Sequence, residues 1–219
     1  MVLEAVNVSK TIKSSQILKR VNLRFESGKI YGIVGRNGSG KTMLFRVLSG
    51  LIKCSEGKVY FDGRELKKDF AVLPNLGILI ENTEMYPEFT GYYNLKLLAD
   101  IRKKIGKAEI QRTMFRVGLD PADKRIVRKY SLGMRQKLAL AQAIMEKPDI
   151  LLLDEPTNGL DEIAVDKIRT ILMQEKERGA LIVITSHNRE DIVRLSDEVY
   201  RISDGYVRKE KAIKTYEIE

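Results

Sequence analysis

The period of the hydrophobic positions changes along the chain, and each change marks an element. In "VNLRFESGK", Val21, Leu23 and Phe25 alternate with Asn22 and Arg24. That two-residue period predicts a half-buried strand, closed by a Ser-Gly turn. "IYGIVG" is a short unbroken apolar run, as in a strand covered on both faces. Residues 41–51 then set Leu44, Val47, Leu48 and Leu51 at helical spacing. "SEGKVYFDGREL" places two turn signals around a short strand. The front of the chain therefore reads as antiparallel hairpins wrapped around one strand–loop–helix unit.

Residues 92–147 change character. "YYNLKLLADIRKK", "KAEIQRTMFRVGL" and "LGMRQKLALAQAIMEK" carry apolar residues three and four apart, punctuated by Pro121 and Pro148. This stretch predicts a helical insertion. Then follow "DILLLDEP" as a strand, "DEIAVDKIRTILMQEKERG" as a helix and "ALIVITS" as a second strand. The helix has Asp161 as N-cap, Lys176 and Arg178 near its end and Gly179 just beyond. Such a strand–helix–strand unit in a parallel sheet makes a right-handed crossover. The alternation points to an α/β fold, and neither an internal repeat nor a low-complexity linker divides it.

Composition narrows the setting. The 219 residues are 43% hydrophobic and 32% charged, an ordinary globular balance. No apolar run approaches the roughly 20 residues that cross a bilayer. "MVLEAVNVSK" lacks a charged start followed by an apolar stretch, so no signal peptide is expected. The single Cys54 excludes an internal disulfide and suits a reducing cytosol. The net charge of +9 fits nucleic acid, an anionic membrane surface or an acidic partner. Its basic clusters, "IRKKIGK", "ADKRIVRK" and "YVRKEKAIK", read as solvated helix faces and a basic tail. With no Trp and scattered aromatics, the chain offers no stacking platform for single strands.

The sharpest motif lies between a predicted strand and a predicted helix. Gly35-Arg36-Asn37-Gly38-Ser39-Gly40-Lys41-Thr42 matches the phosphate-loop pattern G-x-x-x-x-G-K-[ST]. Its glycines admit positive φ and let backbone N–H groups approach phosphates. The helix N-terminus adds partial positive charge there. Lys41 is expected to reach the β and γ oxygens, and the Thr42 hydroxyl to ligate Mg²⁺. Such a loop needs a carboxylate from a neighbouring strand, and Asp154 at the end of "DILLLDEP" supplies it. The chain bends at Pro156, so Glu155 is placed to polarise a water as general base.

These segments and their order resemble the ATP-binding cassette (ABC) family, the motor subunits of ABC transporters, along almost the whole chain. After the phosphate loop comes "NLGILIENTEMYPEFTGYYNL", similar to the family's Q-loop segment. "YSLGMRQKLALAQAI" sits where its signature belongs. "LLLDEPTNGLD" resembles the acidic strand followed by a D-loop of Asn158, Gly159, Leu160 and Asp161, and "IVITSHN" the switch-histidine segment.

The resemblance implies a P-loop NTPase (RecA-like) core with an N-terminal antiparallel β subdomain and an inserted helical subdomain. One ABC ATPase domain would span 1–219. Residues 1–90 and 149–219 would form the nucleotide-binding core, and 91–148 the helical part carrying the signature. ATP and Mg²⁺ are the implied cofactors. The implied partners are a second cassette in a head-to-tail dimer, expected to be an identical chain, and a separate transmembrane permease. The chain would then lie in the cytoplasm, peripheral on the cytoplasmic membrane face. "MYPEFTG" would receive a coupling helix of the permease. Each ATP would be held by one subunit's loop and by Ser131, Leu132, Gly133 and Met134 of its partner. Ser131 can cap a helix, and Gly133 leaves room for close backbone approach.

Three positions depart from the family's pattern. Leu132 replaces the first glycine of the signature, a variant resembling the branch that exports antibiotics and peptides. Glu81 replaces the Q-loop glutamine, where a carboxylate reaches Mg²⁺ through a water. Ile12 stands where an aromatic often stacks on adenine.

Two other classes compete. Cassette ATPases acting on DNA or ribosomes usually carry two cassettes or a long coiled-coil insertion, and this chain has neither, so nucleic acid is disfavoured. A small-molecule P-loop kinase accounts for the phosphate loop but not for "YSLGMRQK" or "DEPTNGLD". His187 is the only histidine. It ends the "ALIVITS" strand, and ligands of parallel sheets sit at the carboxyl ends of strands. His187 is therefore expected beside Glu155, as a γ-phosphate sensor and positioner rather than a second base.

Overall fold

The computed structural model describes residues 1–80 and 85–210. Two long strands open the chain, β1 (Val2–Ile12) and β2 (Ser15–Glu26), paired antiparallel. Val21, Leu23 and Phe25 of β2 are buried, as the alternation predicts, and Leu18 beyond that run is buried too. The ladder slips between Ala5 and Val8, where Asn7 takes φ 50°. Strand β3 (Ile30–Val34) leads through the glycine-rich loop into helix α1 (Lys41–Ser49). Next come β4 (Glu56–Phe61), β5 (Arg64–Glu65) and β6 (Leu76–Leu79). Three helices follow, α2 (Gly91–Arg102), α3 (Lys107–Val117) and α4 (Leu132–Ile144). The last stretch holds β7 (Ile150–Leu153), α5 (Glu162–Glu177), β8 (Leu181–Thr185), α6 (Arg189–Leu195), β9 (Glu198–Ser203) and β10 (Tyr206–Lys209).

Two sheets result. The first, in order β2-β1-β4-β5, is antiparallel. The second runs β10-β9-β3-β8-β7-β6, parallel throughout except for β10 at its edge. The unbroken apolar runs of the sequence are its central strands. In β8, Ile182 and Ile184 face a core shared with the helices, while Leu181 and Val183 face a second core under the antiparallel sheet. β7 divides the same way, Leu151 and Leu153 against Ile150 and Leu152. Each such side chain gains about 1.5–3 kcal/mol on burial, so these strands must be apolar on both faces.

The start of the expected basic tail differs from the sequence expectation, and residues 211–219 lie outside the described ones. Tyr206–Lys209, read as the start of a basic tail, is an edge strand against β9. Its Lys209 pairs with Glu198 at 2.8 Å on the surface, so part of the positive charge is met within the chain. The helices α2, α3 and α4 pack on one another, α3 also on α5 and α4 on β6. A buried carboxylate, Glu175 of α5, joins Arg116 of α3 at 2.5 Å and Arg178 at 2.8 Å. No helix among the described residues is long and apolar enough to cross a membrane.

Sheet order positions the site. β8 lies between β3 and β7. The carboxyl ends of these three parallel strands therefore bring together the phosphate loop, the Asp154–Glu155 pair and the segment of His187.

Candidate functional site

The phosphate loop ends on an uncapped helix. Gly40 occupies the N-cap of α1 in the left-handed region, φ 109°, and no side chain accepts from the first turn. The N–H groups there keep their donor capacity, as an anion requires. Lys41 is buried, and its ammonium donates to the carbonyls of Gly35 at 2.7 Å and Arg36 at 3.2 Å. The lysine thus folds back over its own loop, where phosphate oxygens can take over its hydrogen bonds. Ser39 Oγ is buried without a hydrogen-bond partner among the described residues. An uncapped helix, a buried ammonium and an orphaned hydroxyl together fit a phosphate chain.

Thr42 and Asp154, the two residues expected at a metal, meet directly. The Thr42 hydroxyl donates to Asp154 Oδ2 at 2.6 Å. Sequence reasoning missed the residue that fixes both acids. Thr185, fully buried at the end of β8, donates through Oγ1 to Asp154 Oδ1 at 2.6 Å. The same Oγ1 accepts the backbone N–H of Glu155 at 2.9 Å. Glu155 has left the strand with φ 52°, and Gln136 of α4 donates to its carbonyl at 2.8 Å. A non-glycine residue in the left-handed region is held there by its surroundings, a common device at functional sites. A hydroxyl and a carboxylate oxygen in contact also suit a hard cation such as Mg²⁺, which takes few protein ligands and completes its shell with phosphate and water.

His187 lies beside Glu155. Its backbone N–H donates to Glu155 Oε2 at 3.0 Å, and its Nε2 stands 3.4 Å from Oε1. The imidazole is half exposed, while the carboxylate is mostly buried and its Oε1 has no hydrogen-bond partner among the described residues. Burial pushes the Glu155 carboxyl up from its ordinary value. The His187 backbone N–H opposes that rise.

Two cavities flank the loop. One, of about 1170 Å³, is lined by Lys41, Thr42, Asp154, Glu155, His187 and Leu132, among others. It holds the phosphate loop, the acidic pair and the start of α4. The other, of about 880 Å³, runs from Gly35–Ser39 to Gln16, Ile17, Lys19 and Gly205. Arg36 and Asn37 belong to its wall, and Asn37 and Gly38 border both cavities. Ile12 is exposed and does not line it; Ile17 does.

The remaining motif residues also find places. Ser131 caps α4, accepting from the Met134 N–H at 3.1 Å. Leu132 is 59% exposed yet leans on Gly159, which has φ 72°. A Cβ on Gly159 would lie 2.8 Å from Leu132 Cδ2, and one on Gly133 would lie 3.1 Å from the Gly159 carbonyl. The larger side chain at 132 is thus matched by the missing side chain at 159, and the two motifs touch within one chain. The Asn158 N–H donates to the Glu155 carbonyl at 3.2 Å, and the Leu160 N–H to that of Thr157 at 3.3 Å. Asp161 caps α5 through the Ala164 N–H, as its sequence position predicts. Glu81 lies outside the described residues.

Comparison with known proteins identifies the family. A family model described as ABC transporter matches residues 18–158. The chain is 47% identical over 203 residues to YybJ of Bacillus subtilis (strain 168), an uncharacterized ABC transporter ATP-binding protein, covering 93% of each. It is 34% identical to the lantibiotic transport ATP-binding protein SrtF of Streptococcus pyogenes, covering 95% of this chain and 90% of that one. It is also 36% identical to the bacitracin transport ATP-binding protein BcrA of Enterococcus faecalis, covering 95% and 68%. Among solved structures, the dimeric post-hydrolysis state of the ATP-binding cassette MJ0796, bound to ADP and Pi, superposes with a TM-score of 0.86 at 25% identity, covering 95% and 98%. With a family match across most of its length and relatives this similar from end to end, the chain belongs to the ABC transporter family, as an ATP-hydrolysing, nucleotide-binding subunit.

Proposed function

We propose that the chain powers export of a peptide-like compound through a separate permease, working as a head-to-tail homodimer that sandwiches two ATP molecules. The observation that carries this reading is the meeting of Lys41, Thr42, Asp154, Glu155 and His187 in one cleft that also reaches the first turn of α4. Ser131, Leu132, Gly133 and Met134 of each copy face the partner's γ-phosphate in this reading, with Asn158–Asp161 beside them. Residues 91–148 serve as the helical subdomain, and 1–90 with 149–219 as the core. The transport named for BcrA and SrtF supports the substrate class.

Hydrolysis follows from the geometry. Gly35–Thr42 hold the phosphates, and Lys41 turns from its loop carbonyls to their oxygens. Thr42 and Asp154 would hold Mg²⁺, with Glu81 assigned beside them from the sequence alone, and the ion would supply charge neutralisation to the phosphates. Glu155 accepts a proton from the attacking water through its unpartnered Oε1. His187 keeps the γ-phosphate and that oxygen in register. Little covalent chemistry is asked of the protein, since phosphoryl transfer depends mostly on positioning and charge stabilisation. His187→Ala should bind ATP with near-native affinity and lose turnover by about tenfold or more, roughly 1.4 kcal/mol of transition-state stabilisation. Near-native phosphate release would remove His187 from the mechanism.

The permease surface is read from exposed aromatics. Tyr86, Phe89 and Tyr93 stand in the open with ring centroids 5.8 and 4.8 Å apart. An aromatic cluster left in water marks a binding surface. The joint replacement Tyr86→Ser and Phe89→Ser should leave ATPase activity of the isolated chain intact. It should also abolish co-purification with an integral membrane protein from solubilised membranes. Unchanged co-purification would move the docking surface elsewhere.

A further inference from the structure

Behind the cleft lies a second buried polar cluster, centred on Asp191 of α6. Asp191 is 1% exposed. Its Oδ2 accepts from the Thr157 hydroxyl at 2.6 Å and from the Ser186 hydroxyl at 3.1 Å. Its Oδ1 accepts from Arg169 of α5, at 2.7 Å from Nε and 2.6 Å from the terminal nitrogen. Arg169 is itself buried and also meets Asp166 at 2.9 Å and Glu190 at 3.4 Å. Ser186 accepts in turn from the Asn188 N–H at 3.0 Å.

The two hydroxyls come from the two segments that carry the hydrolytic pair. Thr157 is two residues beyond Glu155, and its carbonyl anchors the turn at Leu160. Ser186 immediately precedes His187, whose N–H holds Glu155 Oε2. One carboxylate therefore ties the loop after β7 to the loop after β8, the two segments that carry Glu155 and His187. A buried carboxylate is costly unless it is fully paired. Here every bond it makes goes to one of these loops or to the arginine that compensates its charge.

We propose that Asp191 is a positioning residue for hydrolysis: by bonding Thr157 and Ser186 at once, it fixes the Glu155 carboxylate against His187 at the distance the attacking water requires. Asp191 touches no substrate and acts only through these two residues. A misplacement of the order of 1 Å at a reacting group costs about 10²-fold in rate, so a tether of this kind has leverage. The inference rests on the assignment of Glu155 and His187 to hydrolysis.

The test uses variants that remove one spoke each and keep the Asp191–Arg169 pair. Thr157→Val and Ser186→Ala should each lower kcat at least about threefold, with KM for ATP and the ATP-induced rise in Tm unchanged. Asp191→Asn should lower kcat by about tenfold or more, again without weakening ATP binding. In a His187→Ala background Asp191→Asn should add little, because the register it maintains is already lost; a merely structural role would give the same fractional loss in both backgrounds. Native kcat in both spoke variants overturns the proposal, whatever happens to the stability of Asp191→Asn. So do parallel losses of kcat and ATP affinity in the two of them. Glu155→Gln and His187→Ala are the controls. If either of these turns over normally, the reading of the site itself fails; if both are impaired while the spoke variants are not, only the tether fails.

Discussion

Glu155→Gln is expected to lower steady-state ATP turnover by about 10²–10⁴-fold, the range contributed by a positioned general base. ATP binding should persist, because the residues that hold phosphate are untouched. Bound but uncleaved nucleotide should then hold two copies together, so ATP should shift the variant to a dimer in size-exclusion chromatography. The same substitution should raise Tm. Glu155 is a mostly buried carboxylate, one oxygen of which has no hydrogen-bond partner among the described residues, held at φ 52°. Its carboxyl is raised by burial, so the folded chain holds the proton more tightly than the unfolded chain. The stability this contributes is present below the ordinary carboxylate value and is lost as pH rises through the raised one. Wherever the carboxylate is ionised, the native protein bears the cost of the buried charge and the glutamine variant does not. The gain should shrink as pH falls toward the ordinary carboxylate range, each kcal/mol being worth about 2–4 °C in a chain of this size. Normal turnover would remove Glu155 from the base role. A Tm difference that grew on acidification would contradict the electrostatic account.

What the sequence made legible follows from contacts that are local or periodic. The phosphate loop is contiguous, so its chemistry can be read from eight adjacent residues. Strands β7 and β8 are apolar throughout because both faces are buried, and their shared sheet follows from the helix that joins them. Asp161 is legible as a cap because capping acts over three residues. What stayed hidden depends on pairings between distant segments. Thr185 is an ordinary β-branched strand residue until Asp154, 31 positions away, is seen against its hydroxyl. Asp191 reads as one of several charges on a short polar helix, and its bonds to Thr157 and Arg169 span 34 and 22 residues. Tyr206–Lys209 shows the opposite error: a run of charge reads as a tail, although its backbone pairs with β9 and its lysine with Glu198. The effect of Leu132 on the signature was equally out of reach, because the space it needs is provided by Gly159 in another motif.

Thr185→Val should cause the largest loss of stability among single substitutions at the site. The two side chains have nearly the same shape, so packing is conserved and only the hydroxyl is lost. That hydroxyl is a donor to Asp154 and the acceptor for the Glu155 N–H, both buried. Removing it strands one oxygen of a carboxylate and one backbone N–H, each costing about 1–3 kcal/mol, with the charged group at the upper end. A combined loss of about 2–6 kcal/mol is a large share of the 5–15 kcal/mol that typically separates folded from unfolded states. It corresponds to a fall in Tm of about 4–24 °C. Turnover should fall as well, by about tenfold or more at saturating ATP, since the strand end that orients both acids has lost its clamp. Thr185→Ser is the discriminating control. It keeps the hydroxyl and gives up one methyl group, worth about 0.8 kcal/mol, so it should stay close to native in Tm and turnover. If valine proved as stable and as active as serine, the hydroxyl would not be what holds Asp154 and Glu155. Positioning of the two acids would then rest on Thr42, Gln136 and the backbone amide of His187, which hold them from the other sides.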